Sequence, residues 1–235
     1  MARILGTVSS GYVEQVYELS QTFTSSGTYT VPAGKSQIAV LMASGGESGG
    51  STDVGNGASG GRGGGLLAFK DYNVTAGQQL TITVGGSNGT TSVGNVASIS
   101  SGSANGPSGY NSLNGASGGN GGNVANSGTA QSGNSGASGG TINLALSGVG
   151  TVSMTAGGGG GAGSGGNGGS MSSNGAARGN DGGNANFSTN TPGAGGGGSG
   201  GRSIHTDVAG EYIYSVQYTG PGGSGSGGKV IVYAK

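Results

Sequence analysis

The sequence predicts a mostly β, irregular protein. It should combine short antiparallel strands with packed, extended glycine helices of the polyglycine II type, and hold little or no α-helix. Three observations carry this expectation. Glycine supplies 63 of the 235 residues, and with 35 Ser and 18 Asn three small residue types fill about half the chain. The apolar residues are gathered into short β-rich runs, many alternating with a period of two. No segment sustains a 3.6-residue period; only Val13–Leu19 remains a candidate helix.

Taken in order, Gln21–Thr24 and Thr28–Pro32 are β-rich and are joined by Ser25-Ser26-Gly27, which reads as a hairpin with a short glycine-containing loop. Ile38, Val40 and Met42 alternate with Gln37, Ala39 and Leu41 in a third strand, and Leu66–Tyr72 forms a fourth. Ala76-Gly77-Gln78-Gln79 is a turn leading into Leu80–Val84, where Leu80, Ile82 and Val84 point inward and two threonines outward. Thr141–Leu146 alternates similarly, and with Thr151–Thr155 it makes a second hairpin across Gly148-Val149-Gly150. Tyr212, Tyr214, Val216 and Tyr218 share one face of a later strand, suited to core or subunit packing, and Lys229–Tyr233 closes the chain.

Between these strands lie glycine blocks: Gly60–Gly65, Ser117–Gly122, Gly157–Gly169 and Gly193–Gly201. Glycine loses more backbone entropy on ordering than any other residue, so a free run stays mobile unless something offsets that loss. The extended threefold helix, with about 3.1 Å rise per residue, points its N–H and C=O groups outward. Several such helices side by side can hydrogen-bond to one another. Without Cβ atoms they also approach closely enough for Cα–H···O contacts of about 0.5–1 kcal/mol each, so only a dense array compensates. A fold that buries backbone in place of side chains explains how Leu, Ile, Val and Phe together can be only about 16% of the chain. Collagen is excluded, because four prolines and runs such as Gly157–Gly161 obey no Gly-X-Y frame.

Composition narrows the function. Charged residues are 7% and formal net charge is zero, so no phosphate-neutralising surface and no nucleic-acid partner is expected. With no Cys, disulfide frameworks, thiolate metal sites and Cys nucleophiles are ruled out. No run approaches 18 apolar residues, so membrane insertion is not expected, and the start Met1–Gly6 does not read as an export signal.

Four features form one order: Phe23–Gly34, Ala76–Gly85, the glycine blocks, and Gly227–Ala234. This order resembles the glycine-rich domain of tail-fibre and other surface proteins of tailed bacteriophages. It is similar to the glycine-rich adhesins at the tips of long tail fibres in T-even-like phages. The resemblance covers roughly residues 21–235, leaving 1–20 as an N-terminal segment. It implies a sandwich of packed polyglycine II helices, host-recognition loops at one end and attachment to a virion protein (fibre, baseplate or capsid) at the other. The tip adhesins carry a larger N-terminal attachment region than the 20 residues here, which keeps a capsid or whisker decoration protein as the alternative.

Catalytic chemistry is not expected. His205 is the only imidazole, and Ser203, His205 and Asp207 on one extended stretch cannot converge as a triad. The eight carboxylates are scattered, with nothing pairing two across a cleft as glycoside hydrolysis requires. Gly34-Lys35-Ser36 ends like a phosphate loop but has Tyr29 where that motif needs its first Gly. No cofactor or metal is expected.

Receptor contact is expected from loops held on a rigid scaffold: about 101–116, 124–137, 170–192 and 202–211. Their candidate contacts are Tyr110, Asn111, Asn174, Arg178, Asp181 and His205. Tyr110 could equally pack over a glycine layer, and Arg178 and Asp181 could pair with each other. Tyr12, Val13, Val16, Tyr17 and Leu19 are the candidate virion-docking residues. The expectation is a non-enzymatic protein of the virion surface that binds a bacterial receptor, protein or glycan, with homo-oligomerisation left open.

Overall fold

A computed structural model describes residues 15–49, 60–118, 137–156, 187–188, 191–192 and 227–235. Among them there is no helix, and therefore none long and apolar enough to cross a membrane. The strands are β1 (Glu18–Phe23), β2 (Gly27–Thr30), β3 (Gln37–Ala43), β4 (Leu66–Asn73), β5 (Gln79–Thr83), β6 (Thr91–Val93), β7 (Ala97–Ile99), β8 (Ala104–Asn105), β9 (Asn111–Leu113), β10 (Thr141–Leu146), β11 (Gly150–Thr155), β12 (Phe187–Ser188), β13 (Thr191–Pro192) and β14 (Lys229–Ala234). All pairings are antiparallel.

Three layers stack. The middle layer is a five-stranded sheet in the order β1-β14-β3-β4-β9, and one outer layer is a second five-stranded sheet, β2-β5-β6-β7-β8. Between these two sheets lie Phe23, Tyr29, Val31, Ile38, Val40, Met42, Phe69, Ile82, Ile99 and Val232. The β10–β11 hairpin covers the opposite face of the middle sheet, burying Ile142, Leu144, Leu146 and Met154 against Ala39, Leu41, Leu66, Ala68 and Tyr233. Covered on both faces, β3 and β14 are apolar almost throughout, whereas the hairpin strand β10 alternates strictly because its outer face meets solvent. The alternation expected for residues 37–42 therefore gives way to burial of both residue sets.

Two expectations are corrected. Residues 21–24 and 28–32 do not form a hairpin: β1 pairs with β14 and β2 with β5. The short connection Thr24–Ser26 is instead a crossover between layers, and Phe23 and Tyr29 on either side of it both enter the same core. Nor is Val13–Leu19 a helix where it is described, for Gln15–Tyr17 is irregular and Leu19 lies within β1. The strand expected at 212–218 lies outside the described residues.

At one end of the sandwich the chain leaves the strands as glycine-rich ribbons, and their contacts repeat every three residues. Ser44 N–H donates to Gly65 O (2.9 Å), and Glu47 N–H donates to Arg62 O (2.7 Å). The intervening Gly45 N–H turns to a different neighbour, Gly89 O (3.3 Å), while Gly46 O accepts from Asn88 N–H (2.9 Å). Gly63 N–H addresses a third ribbon through Ala116 O (2.9 Å). A β-ladder would return to the same neighbour every two residues; a return every three is the signature of the threefold helix.

Close approaches follow the same beat. A β-carbon added at Gly61 would overlap the carbonyl oxygen of Glu47, and one at Gly64 that of Ser44. At Gly115 it would overlap Gly63 O, and at Gly118 Gly60 O. Two buried hydroxyls anchor the ribbons to the sheets: Ser44 Oγ accepts from Gly65 N–H (2.8 Å), and Thr91 Oγ1 accepts from Gly85 N–H (3.1 Å). The other three glycine blocks lie wholly or mostly outside the described residues.

Gly115→Ala is expected to lower stability by about 1–3 kcal/mol, since the rigid partner is backbone and cannot swing aside. Gly86→Ala, whose new methyl group meets open space, should be neutral or slightly stabilising through the unfolded chain. Thermal unfolding of the two variants side by side checks the contrast.

Candidate functional site

The sandwich has two distinct poles. β3 ends at Ala43, β4 starts at Leu66, β9 ends at Leu113, β10 starts at Thr141, β11 ends at Thr155 and β14 starts at Lys229. Antiparallel pairing brings these ends together: Ala43 faces both Leu66 and Lys229, Leu66 faces Leu113, and Thr141 faces Thr155. Segments 50–59, 119–136 and 157–226 are thus all joined to the sandwich at this glycine pole. β12 and β13 pair with each other inside the last of them.

The opposite pole gathers Tyr17, the bulged end of β4, the β10–β11 turn and Lys235. Tyr17 N–H donates to Ser147 O (2.8 Å), tying the N-terminal segment to that turn. Tyr17 Oη–H donates to Asp71 Oδ1 (3.0 Å) and accepts from the Asp71 N–H (2.8 Å). Lys235 Nζ sits 2.6 Å from Asp71 Oδ1 and 4.6 Å above the Tyr17 ring, an ion pair combined with a cation–π contact. The main chain of Lys235 is held too: its carbonyl accepts from Ser36 and Gln37, and its N–H donates to Gln37 O. Asp71 reaches this position because β4 carries an extra residue there, where register slips between Ile38 and Val40, and takes φ 56°.

The ionisable groups respond to this packing. Burial, together with the Asp71 carboxylate, pushes the Tyr17 phenol up to about 12. The hydrogen-bonded Lys235 ammonium holds Asp71 below the usual carboxylate range. Burial likewise raises Tyr29 and Tyr233.

Of the expected docking residues, Val16 and Leu19 are exposed at this pole (38% and 61%), while Tyr17 is turned inward at 3%. The Tyr17 ring is therefore not part of the exposed surface, because its hydroxyl is engaged by Asp71 and its face by Lys235. Val149 in the hairpin turn is exposed as well, and Val16 packs against the neighbouring Gly148. Tyr12 and Val13 lie outside the described residues, as do the expected receptor contacts Asn174, Arg178, Asp181 and His205. Tyr110 is half-buried, packs on the core between the two sheets, and donates from its hydroxyl to Ala104 O (3.4 Å). Asn111 is exposed at the start of β9, opposite Ala68.

Sequence reasoning missed Asp71, Lys235 and Val149. The Lys70-Asp71 pair inside an otherwise apolar strand was a signal that β4 bulges there; nothing local marks Lys235. A cleft of about 390 Å³ opens beside the bulge, lined by Lys70, Asp71, Tyr72, Asn73, Pro107 and Ser108. Among the described residues no three His, Asp or Glu side chains stand together as a metal site.

Among the described residues, fold and poles define a mostly β sandwich from one end of which main chain, poor in side chains, is packed into ribbons. The chain belongs to the glycine-rich domain family, whose model matches residues 21–235. No curated protein matches it significantly.

The raised Tyr17 pKa fixes a pH dependence. The neutral phenol is the form the fold favours, so its contribution is complete below the unfolded value of about 10 and is lost as pH rises through about 12. The stability difference between the native chain and Tyr17→Phe should shrink over that window, measured by urea unfolding at stepped pH. Asp71 behaves oppositely. Its stabilisation is present above the unfolded carboxylate pKa and fades as pH falls through the lowered folded value. Lys235→Met should remove part of this acid dependence while leaving the unfolding midpoint at neutral pH only modestly lower, since the pair is partly exposed.

Proposed function

We propose that this protein is a non-enzymatic component of a phage virion surface, an adhesin of the tail fibre or tail tip that binds a bacterial surface receptor through segments between its glycine blocks. The observation that supports this reading is the polarity of the sandwich. Every long glycine-rich segment is joined at one pole, and the exposed apolar side chains Val16, Leu19 and Val149 lie at the other. A ribbon array held by main-chain hydrogen bonds supplies the stiff base that recognition loops need. The segment between β11 and β14, which carries Asn174, Arg178, Asp181 and His205, belongs to the receptor-facing pole in this reading. Val16 and Leu19 belong to the virion-facing pole. The motifs at Phe23–Gly34 and Gly227–Ala234, similar to those of phage surface proteins, support the same assignment.

Purified protein is expected to bind cells of a susceptible strain and to compete with infection by the parent phage. Immunogold labelling of particles should put the protein at the tail tip in low copy number. Hundreds of copies over the head shell, with no competition, would instead make it a decoration protein. Arg178→Ala and His205→Ala should weaken cell binding without lowering thermal stability, whereas Leu19→Asp should reduce incorporation into particles and leave cell binding intact.

A further inference from the structure

Seven Asn residues of this chain are followed directly by Gly. In that dipeptide the side-chain amide is most open to attack by the next main-chain nitrogen, because glycine has no β-carbon to obstruct the approach. Three of the pairs fall among the described residues, and their surroundings differ. At Asn88-Gly89 both partners are held. Asn88 Oδ1 accepts from Ser48 N–H (2.9 Å), Asn88 Nδ2 donates to Ser48 Oγ (3.4 Å), and Gly89 N–H donates to Gly86 O (2.8 Å). At Asn114-Gly115 the nitrogen is held. Gly115 is buried against Gly63 O, and its N–H donates to Ser101 O (2.8 Å). Asn105-Gly106 is bare by comparison. Asn105 is exposed in β8, the two-residue edge strand of its sheet. Among the described residues, neither its side-chain amide nor the Gly106 N–H has a hydrogen-bond partner.

We propose that Asn105 is a self-modifying site that converts to isoaspartate and aspartate. A solvent base removes the Gly106 amide proton, and the nitrogen attacks Asn105 Cγ. The bond from Cγ to the side-chain nitrogen breaks and ammonia leaves. Asn105 Cγ and its main-chain carbonyl carbon are then bridged by the Gly106 nitrogen in a five-membered imide. Water opens the ring: breaking the bond to Cγ gives aspartate, and breaking the bond to the main-chain carbonyl gives isoaspartate. Overall one amide and one water become a carboxylate and ammonium, with no oxidant or reductant. The strand needs only to fray, and an edge strand of two residues opens at little cost. Two consequences follow from its position. Asn105 ends a registered row with Thr83, Ser92 and Ser98 across the outer sheet, all uncharged, and the new carboxylate makes both this row and a chain of zero formal net charge negative. Isoaspartate also lengthens the main chain between Ala104, whose carbonyl accepts from the Tyr110 hydroxyl, and Gly106, against whose α-carbon the Tyr110 ring packs. The site does not depend on the host-attachment reading.

The test incubates the native full-length chain at mildly alkaline pH beside the same chain unfolded in urea, and follows the three pairs by peptide mass spectrometry. In urea all three should react at similar rates. In the native chain Asn105 should stay within about threefold of its unfolded rate, whereas Asn88 and Asn114 should be slowed about tenfold or more, because each pair must first give up its hydrogen bonds. The product at position 105 should include isoaspartate, detected with a protein isoaspartyl methyltransferase. Asn105→Gln, whose imide ring would be the slower-forming six-membered one, should lose the reaction at that position and keep the protection of the other two pairs. Native protection of Asn105 equal to that of Asn88 and Asn114 overturns the proposal, as does reaction of Asn88 or Asn114 at its unfolded rate in the native chain. Aspartate without any isoaspartate would mean direct hydrolysis and overturns the imide route.

Discussion

A carbonyl oxygen resting where a β-carbon would otherwise be is the contact on which this structure depends. It recurs at Gly61, Gly64, Gly115 and Gly118, each against main chain of a neighbouring ribbon. Glycine is required there for what it lacks, and the usual penalty for ordering it is offset by hydrogen bonds such as Glu47 N–H to Arg62 O and Gly63 N–H to Ala116 O. Hydrophobic burial alone would support only the β-sandwich. The ribbons extend order beyond that core by satisfying backbone groups against one another.

The sandwich in turn depends on its last strand. β14 lies between β1 and β3, pairing with both, so the middle sheet closes only when the C-terminal residues have found partners more than 180 positions earlier in sequence. The segment between β11 and β14 is a loop closed by that pairing. The entropy of closing a loop grows only slowly with its length, which lets a long insertion coexist with a compact core. Asp71, Tyr17 and Lys235 then fasten both ends of the described chain to the far pole.

What the sequence disclosed follows from where solvent lies. β5 and the β10–β11 hairpin were legible because each keeps one face wet, so that Leu80 and Ile82, or Ile142, Leu144 and Leu146, alternate with polar residues. β3 was legible as a strand, but not its surroundings: the middle sheet is covered twice, so the period of two gives way to nearly continuous burial. The false hairpin at Ser25-Ser26-Gly27 shows the limit of turn chemistry, since the partners of β1 and β2 were decided by Val230 and Leu80, far along the chain. β6 to β9 are two or three residues long and mostly Ser, Asn, Thr and Ala, too short to register. In the candidate site Val16 and Leu19 are exposed, while the inward turn of Tyr17, which no local pattern marks, rests on an aspartate 54 residues away.

The triplet beat of the ribbons also sets a rule for how such a chain can change length. Removing or adding one or two residues between Ser44 and Glu47, or between Arg62 and Gly65, would rotate everything beyond by a third or two thirds of a turn. Side chains would then arrive where oxygens now sit. Removing or adding three leaves every later residue facing its former neighbour. Natural variation of these ribbons should therefore accumulate as indels of three, six or nine residues, a phase constraint that the loops beyond the array do not share.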